Sequence, residues 1–118
     1  MTFLALAAAL ALQTDPHPLL GSWDVALYYD PEAPPSATVM EITAVEADGA
    51  LSGTFYQSEF ESGRYVVKDG VVIISVITSD GSGPYATSGR LYPDGRFEGQ
   101  TLSTGRNFLM PGTASRGE

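Results

Sequence analysis

Two glutamates, Glu59 and Glu61, stand two positions apart in a spacing that suits acid–base chemistry. A pair of carboxylates does such chemistry when burial raises the pKa of one of them. Here Ser58 and Ser62 flank the pair. This polar context predicts two solvated side chains near the end of a strand, and we expect neither to be catalytic.

Other reactive residue types are scarce. His17 is the only histidine and lies in a proline-rich stretch, which argues against a Ser-His-Asp triad and against a transition-metal site. The chain has no cysteine, which excludes disulfides, thiolate catalysis and cysteine-ligated zinc. Asp80-Gly81-Ser82-Gly83 is rich in oxygen ligands but lacks the further carboxylates of a calcium site. We expect no metal and no other cofactor.

Tyrosine is the most abundant aromatic residue, with six copies in the chain. A tyrosine side chain is apolar along its ring and polar at its hydroxyl, a combination that suits a pocket mouth or a partner surface. It also suits the outside of any β-barrel, so composition alone leaves both positions open. The six are Tyr28, Tyr29, Tyr56, Tyr65, Tyr85 and Tyr92.

Asp-Gly pairs indicate which elements must position these side chains. Asp-Gly is a strong hairpin signal because glycine adopts positive φ freely and aspartate tolerates it. Pairs at Asp48, Asp69, Asp80 and Asp94 lie between segments rich in Val, Ile, Thr, Phe and Tyr. We predict strands over residues 20–29, 38–46, 50–58, 64–68, 71–78, 85–92 and 96–103, with a last irregular strand over 106–114 broken at Pro111-Gly112.

The predicted fold is all-β: one small antiparallel up-and-down β-barrel of about eight strands, preceded by a signal helix. Tight turns between consecutive strands favour this topology over Greek-key crossings, and closure removes exposed edges. Gly53, Gly89 and Gly99 fall inside predicted strands, where we expect them to allow sharp bending. The alternative role for these glycines is to let a ligand approach the backbone.

The first residues form a short apolar run that ends in Ala9-Leu10-Ala11. The run is too short to span a bilayer and matches the apolar region and cleavage site of a secretory signal. We therefore predict a cleaved signal peptide at residues 1–11, an extended proline-rich lead-in at 12–19 and a barrel domain at 20–116. Export would place the protein in the periplasm or outside the cell. The alternative is an N-terminal helix packed on the domain.

The charge of the chain bears on its partners. Its formal net charge is −8, and its six basic residues are scattered. Nucleic-acid binding needs clustered Lys and Arg, so we expect no nucleic-acid partner. An anionic membrane surface is unfavourable for the same reason, and we expect no stable membrane insertion after signal cleavage.

Gly21-Ser22-Trp23 opens the first predicted strand, and this G-x-W in a small antiparallel barrel resembles the calycins. That group includes lipocalins, fatty-acid-binding proteins, avidins and a bacterial metalloprotease inhibitor. The resemblance implies that Trp23 closes one barrel end, with Arg106 or Arg116 packed over it by a cation–π contact. Residues 47–54 also resemble the avidin segment that leads into the third strand.

The avidin ligand site carries over only in part. Val25 and Tyr29 occupy positions where the avidin pattern has polar biotin ligands, and Trp23 is the only tryptophan. Tyr56-Gln57-Ser58 resembles the Tyr-x-Ser of the avidin third strand, displaced by one residue. The alternative places Tyr56 and Ser58 on the solvent face of the strand.

These observations lead to two functional hypotheses, with an enzyme that uses the Glu59 and Glu61 carboxylates as a third alternative. The first is an exported, non-catalytic, calycin-like protein that binds a small, partly apolar ligand at the barrel mouth. Its expected ligand contacts are Tyr56, Ser58 and Arg90, with Trp23 at the closed end. The second is a periplasmic protease inhibitor that inserts its trunk, residues 12–18, into a protease cleft. It resembles the bacterial metalloprotease inhibitors, although those carry a disulfide that this chain lacks.

Overall fold

The structure, a computed structural model, describes residues 17–30 and 32–117. These residues form one antiparallel sheet and no helix, which confirms the all-β prediction. The predicted signal peptide, its helix and most of the lead-in lie outside the described residues. None of the described residues belongs to a helix able to cross a membrane. The nine strands are β1 (Gly21–Leu27), β2 (Ser36–Val45), β3 (Leu51–Phe55), β4 (Ser58–Glu59), β5 (Ser62–Lys68), β6 (Val71–Asp80), β7 (Gly83–Leu91), β8 (Phe97–Ser103) and β9 (Phe108–Arg116).

The sheet runs in the order β4-β3-β2-β1-β9-β8-β7-β6-β5, so the first and last strands of the chain are neighbours in its middle. It is compatible with a barrel-like fold, but it is not closed into the barrel that we predicted. Its two ends touch through an isolated bridge between Ala50 and Arg64. The ladder is interrupted between β4 and β5, where Phe60 N donates to Gly53 O on one side and Glu61 N donates to Ile77 O on the other.

Alternation along the strands buries one face of the curled sheet. Residues i and i+2 point to the same face of a strand, and on β1 the buried residues are Trp23, Val25 and Leu27. Strand β6 buries Val72, Ile74, Val76 and Thr78 in the same way. Apart from Thr78, these side chains join one apolar core with Leu19, Met40, Ile42, Leu51, Phe55, Leu91, Phe97 and Met110.

The Asp-Gly turns connect neighbouring strands as predicted. Asp69 and Gly70 have φ values of 54° and 80° and form a two-residue hairpin turn between β5 and β6. Asp48, Asp80 and Asp94 each accept a hydrogen bond at Oδ1 from the amide two residues later, which holds the turn in shape. Residues 80–84, which lie between two predicted strands, form a tight hairpin in which Asp80 pairs with Gly83.

Two predicted strands differ from the structure. We expected a single strand over residues 50–58, but β3 ends at Phe55, and Tyr56 and Gln57 turn the chain with φ values of 56° and 69°. The last strand was expected to break at Pro111-Gly112, yet β9 is continuous. The Pro111 carbonyl oxygen accepts a hydrogen bond from Tyr28 N, just past the end of β1. Because the nitrogen and the carbonyl of a residue in an antiparallel strand face the same neighbour, the Pro111 nitrogen also lies where β1 has ended. The ladder therefore does not need the amide hydrogen that proline lacks.

Gly53 shows why one strand needs a glycine. It pairs with Ile42 on β2, beside a bulge between Ile42 and Ala44. A Cβ on Gly53 would overlap the Glu41 carbonyl oxygen and lie 3.0 Å from the Ile42 Cα. Only glycine permits this close approach of the two backbones beside the bulge.

Candidate functional site

Consecutive strands run in opposite directions, so the connections between them lie alternately at the two ends of the sheet. The turns at Asp48, Asp69 and Asp94 lie at the end where β1 begins and β9 finishes. The other end receives the β1–β2 loop, the Tyr56-Gln57 turn, the Gly81-Ser82 turn and residues 104–107. This second set of connections, with the strand ends beside it, supplies the tyrosine, serine and arginine side chains that border the cavity described next.

A cavity of mixed chemistry lies at this second end of the sheet, with a volume of about 230 Å³. We call it the mouth cavity. Leu27, Phe55 and Met110 are buried and supply its apolar floor. Polar side chains supply its wall and rim. They are Tyr29, Tyr56, Ser58, Thr78, Asp80, Ser82, Tyr85, Thr101 and Arg106.

Two tyrosines on different connections meet at the rim. The Tyr29 hydroxyl, just after β1, lies 3.0 Å from the Tyr56 hydroxyl in the β3–β4 turn. This hydrogen bond, followed by partial burial, raises the pKa of Tyr29 to about 12. Both rings remain close to half exposed, at 45% and 47%. The pair therefore presents hydroxyl groups to the cavity and to solvent.

A third tyrosine and an arginine face the same cavity from β7 and from the β8–β9 turn. Arg106 Nη2 donates to the Tyr85 hydroxyl at 3.2 Å. The Arg106 guanidinium also lies 5.0 Å from the centre of the Phe108 ring, and Phe108 packs near Tyr29. Arg106 thus connects the two sides of the aromatic rim. Asp80 lies on the rim too, and its Oδ1 accepts from Ser82 N at 2.7 Å.

A smaller space of about 40 Å³ lies below the mouth cavity, and the two share Leu27, Phe55 and Thr101 in their walls. Small residues make this room, since Gly89, Gly99, Gly112 and Ala114 line it. Thr87 and Thr101 are buried beside it, with their hydroxyl oxygens 2.9 Å apart. Among the described residues, no buried side-chain polar atom lacks a hydrogen-bond partner.

At the opposite end of the sheet, which we call the filled end, the Trp23 side chain packs into the core. Trp23 is 3% exposed, and its Nε1 donates to Leu19 O at 2.9 Å. The Arg116 guanidinium lies 3.9 Å from the centre of the Trp23 ring and donates to the carbonyl oxygens of Leu20 and Pro18. Of the two arginines that we expected over this tryptophan, Arg116 takes the position, and Arg106 lies at the mouth.

The four predicted site residues fall into three places. Tyr56 and Ser58 both line the mouth cavity, although the turn at Tyr56 means that they are not on one strand. Trp23 lies at the filled end. Arg90 is exposed on the outer face of β7, paired with Ile73 and Glu98, and does not line the mouth cavity. We therefore exclude Arg90 from the contacts that a ligand in the mouth cavity would make.

The remaining reactive residues lie apart from the cavity. Glu59 and Glu61 are exposed near the end of β3. His17 is half-buried beside Tyr65, and its Nδ1 accepts from Leu19 N, while burial lowers its pKa. Within residues 17–30 and 32–117, no three metal-ligating side chains come together.

Sequence reasoning missed the grouping of Tyr29, Tyr85 and Arg106. The abundance of tyrosine and its amphipathic character were visible in the sequence. The strand pairing that brings these distant positions together was not.

No family model matches the chain, and no curated protein or solved structure matches it either.

Proposed function

We propose that the protein is a non-catalytic binding module that holds a small, partly apolar molecule in the mouth cavity. The single observation that carries the proposal is the cavity itself, with a buried apolar floor beneath a rim of tyrosine, serine and arginine. Small-molecule sites generally combine apolar walls with a few polar groups that fix orientation. The mouth cavity has both components in one place.

The energetics of such binding follow from the two components. Apolar ligand surface that covers Leu27, Phe55 and Met110 is removed from water, which is worth about 25 cal/mol per Å². Hydrogen bonds to Tyr56 and Ser58 would add orientation more than affinity, because both groups lose contacts with water on binding. The ligand's polar end therefore points to the rim and its apolar end to the floor.

We also propose a calycin-like architecture for this module. Supporting features are the sequential antiparallel strands, the pairing of β1 with β9, and the stacking of Arg116 on Trp23 at the filled end. The short apolar run at residues 1–11 supports export to the periplasm or the cell exterior.

Native mass spectrometry of the protein, purified from its own host without denaturation, tests the function. The proposal predicts a reproducible extra mass that disappears on unfolding. A Ser58→Trp variant fills the cavity and should lose that mass, whereas Ser52→Trp, on an exposed position of β3, should retain it. A clean apo mass for the wild type, or an adduct that persists in Ser58→Trp, would argue against a ligand in the mouth cavity.

The inhibitor hypothesis remains a prediction, because residues 12–16 of its trunk lie outside the described residues. Deleting the trunk separates the two proposals. Protease inhibition should vanish in the truncated protein, whereas binding in the mouth cavity should persist.

A further inference from the structure

We propose that the mouth cavity selects ligands with an anionic head group, of the carboxylate class, and that Arg106 is the residue that binds it. This inference rests on the proposed function and adds the chemical class of the ligand. Such a molecule is an amphiphile whose tail lies on the apolar floor and whose charge lies at the rim.

The position of the Arg106 guanidinium suits it to bind an anion. It is the only cation in the wall of the mouth cavity among the described residues. No carboxylate of those residues lies within 4.0 Å of it, since the ion pairs there involve only Lys68 with Asp69 and Arg96 with Glu98. A guanidinium has five N–H donors, and the Tyr85 hydroxyl takes one hydrogen bond from Nη2. Donors remain for a bidentate contact with a carboxylate.

Arg106 is held at the rim by contacts of its side chain and of its backbone. Its guanidinium lies over the Phe108 ring at 5.0 Å, and its backbone N donates to Ser103 Oγ at 3.3 Å. Contacts at both ends of the residue reduce the conformational entropy that a ligand would otherwise have to remove. The guanidinium is therefore preorganised at the rim.

Tyrosine hydroxyl groups at the same opening supply further hydrogen-bond donors. Tyr29 and Tyr56 share one hydrogen bond between their hydroxyls, so one of the two protons remains available. A phenol proton and a guanidinium are together complementary to an anionic oxygen.

Asp80 opposes this selection and supplies a second test. Its carboxylate lines the same cavity, although Oδ1 is occupied by the Ser82 amide. Asp80→Asn keeps the oxygen that accepts this hydrogen bond and removes the charge. If the head group is anionic, the variant should bind it more tightly.

Isothermal titration calorimetry with octanoate, octanol and octylamine tests the inference, because the three probes share a tail and differ in head group. We expect the wild type to bind octanoate about tenfold more tightly than octanol, and octylamine most weakly. Arg106→Gln should abolish the preference, because it weakens octanoate binding more than octanol binding. Lys68→Gln is the matched control, since it removes one exposed charge outside the cavity. Asp80→Asn should increase octanoate affinity alone.

The results separate two kinds of failure. Equal or weaker binding of octanoate relative to octanol would overturn the head-group inference and leave a ligand-binding function intact. The same conclusion follows if Arg106→Gln keeps the preference while its thermal unfolding matches that of the wild type. Failure of all three probes to bind, together with a clean apo mass, would overturn both proposals.

Discussion

The hydroxyl groups of Tyr29 and Tyr56 lie 3.0 Å apart, although 27 residues separate them in the chain. Tyr29 follows β1, and Tyr56 lies in the turn after β3, with β2 between these strands in the sheet. Their contact therefore spans three strands across the opening. It narrows the mouth cavity on one side and fixes two hydroxyls at its rim.

The first prediction concerns this pair. Tyr56→Phe removes the hydrogen bond that chiefly raises the Tyr29 pKa, so that pKa should fall from about 12 towards its ordinary value of 10.0. Site-resolved NMR titration of the Tyr29 ring measures the change. Tyr28→Phe, which removes a neighbouring hydroxyl outside the pair, is the control and should leave the Tyr29 titration in place. An unchanged Tyr29 pKa in Tyr56→Phe would contradict the assignment.

The same shift gives a pH dependence with a definite sign. A tyrosine whose pKa is higher in the folded than in the unfolded protein stabilises the fold in its protonated form. Its contribution is complete below about pH 10 and is lost as the pH rises towards about 12. Urea unfolding across this interval should show a steeper loss of stability for the wild type than for Tyr29→Phe. Parallel losses would mean that other groups dominate alkaline unfolding.

The second prediction concerns the filled end. Arg116→Ala removes the stacking on Trp23 and the hydrogen bonds to the Leu20 and Pro18 carbonyls. We expect the free energy of unfolding to fall by about 1–2 kcal/mol. Urea unfolding followed by the fluorescence of Trp23, the only tryptophan, measures it directly.

Arg90→Ala is the matched control, because Arg90 is exposed on the outer face of β7. Its effect should stay within about 0.5 kcal/mol of the wild type. Equal effects of the two substitutions would show that the Arg116 contacts add little to stability.

The third prediction concerns the contact between β7 and β8. A Cβ at Gly99 would overlap the Ser88 carbonyl oxygen and lie 2.7 Å from the Gly89 Cα. These are backbone atoms of a paired strand, so Gly99→Ala should cost about 1–3 kcal/mol of stability. Gly81→Ala is the comparison, since no atom lies within 4 Å of its Cβ position and its φ is not positive. In thermal unfolding, the midpoint of Gly81→Ala should equal or slightly exceed that of the wild type. Similar losses of stability in Gly81→Ala and Gly99→Ala would contradict the close approach of the two backbones at Gly99.

The fourth prediction concerns the buried threonine pair beneath the mouth cavity. Thr101→Val leaves the Thr87 hydroxyl without the partner that it has at 2.9 Å, and should cost about 1–3 kcal/mol. Thr87→Val combined with Thr101→Val removes both polar groups and should recover part of that loss. Chemical unfolding of the single and double variants forms a complete cycle. Additive losses would indicate that the two hydroxyls do not depend on each other.

Some turns and site residues could be predicted from the sequence, and others could not. Asp69-Gly70 was recognisable as a hairpin turn because the conformation depends on two adjacent residues. Tyr56-Gln57 was not, because neither residue is typical of positive φ, yet the turn forms where β3 pairs with β4. Tyr56 and Ser58 were therefore correct as candidates for the cavity wall, but the single strand on which we predicted them does not form. We predicted Arg90 at the mouth of the barrel. The polar and small residues of β7 alternate too weakly to indicate which face of the strand Arg90 occupies.

Sequence alone determined the local features of this protein: antiparallel strands with a two-residue period, Asp-Gly turns between them, and a formal net charge of −8. These features depend on residues close together in the chain. Tertiary structure decided that β1 pairs with β9, which puts Arg116 on Trp23, and that Tyr29, Tyr56, Tyr85 and Arg106 share one opening. Those contacts depend on strand register and on the curl of the whole sheet, which packing of the common core sets and no single segment encodes.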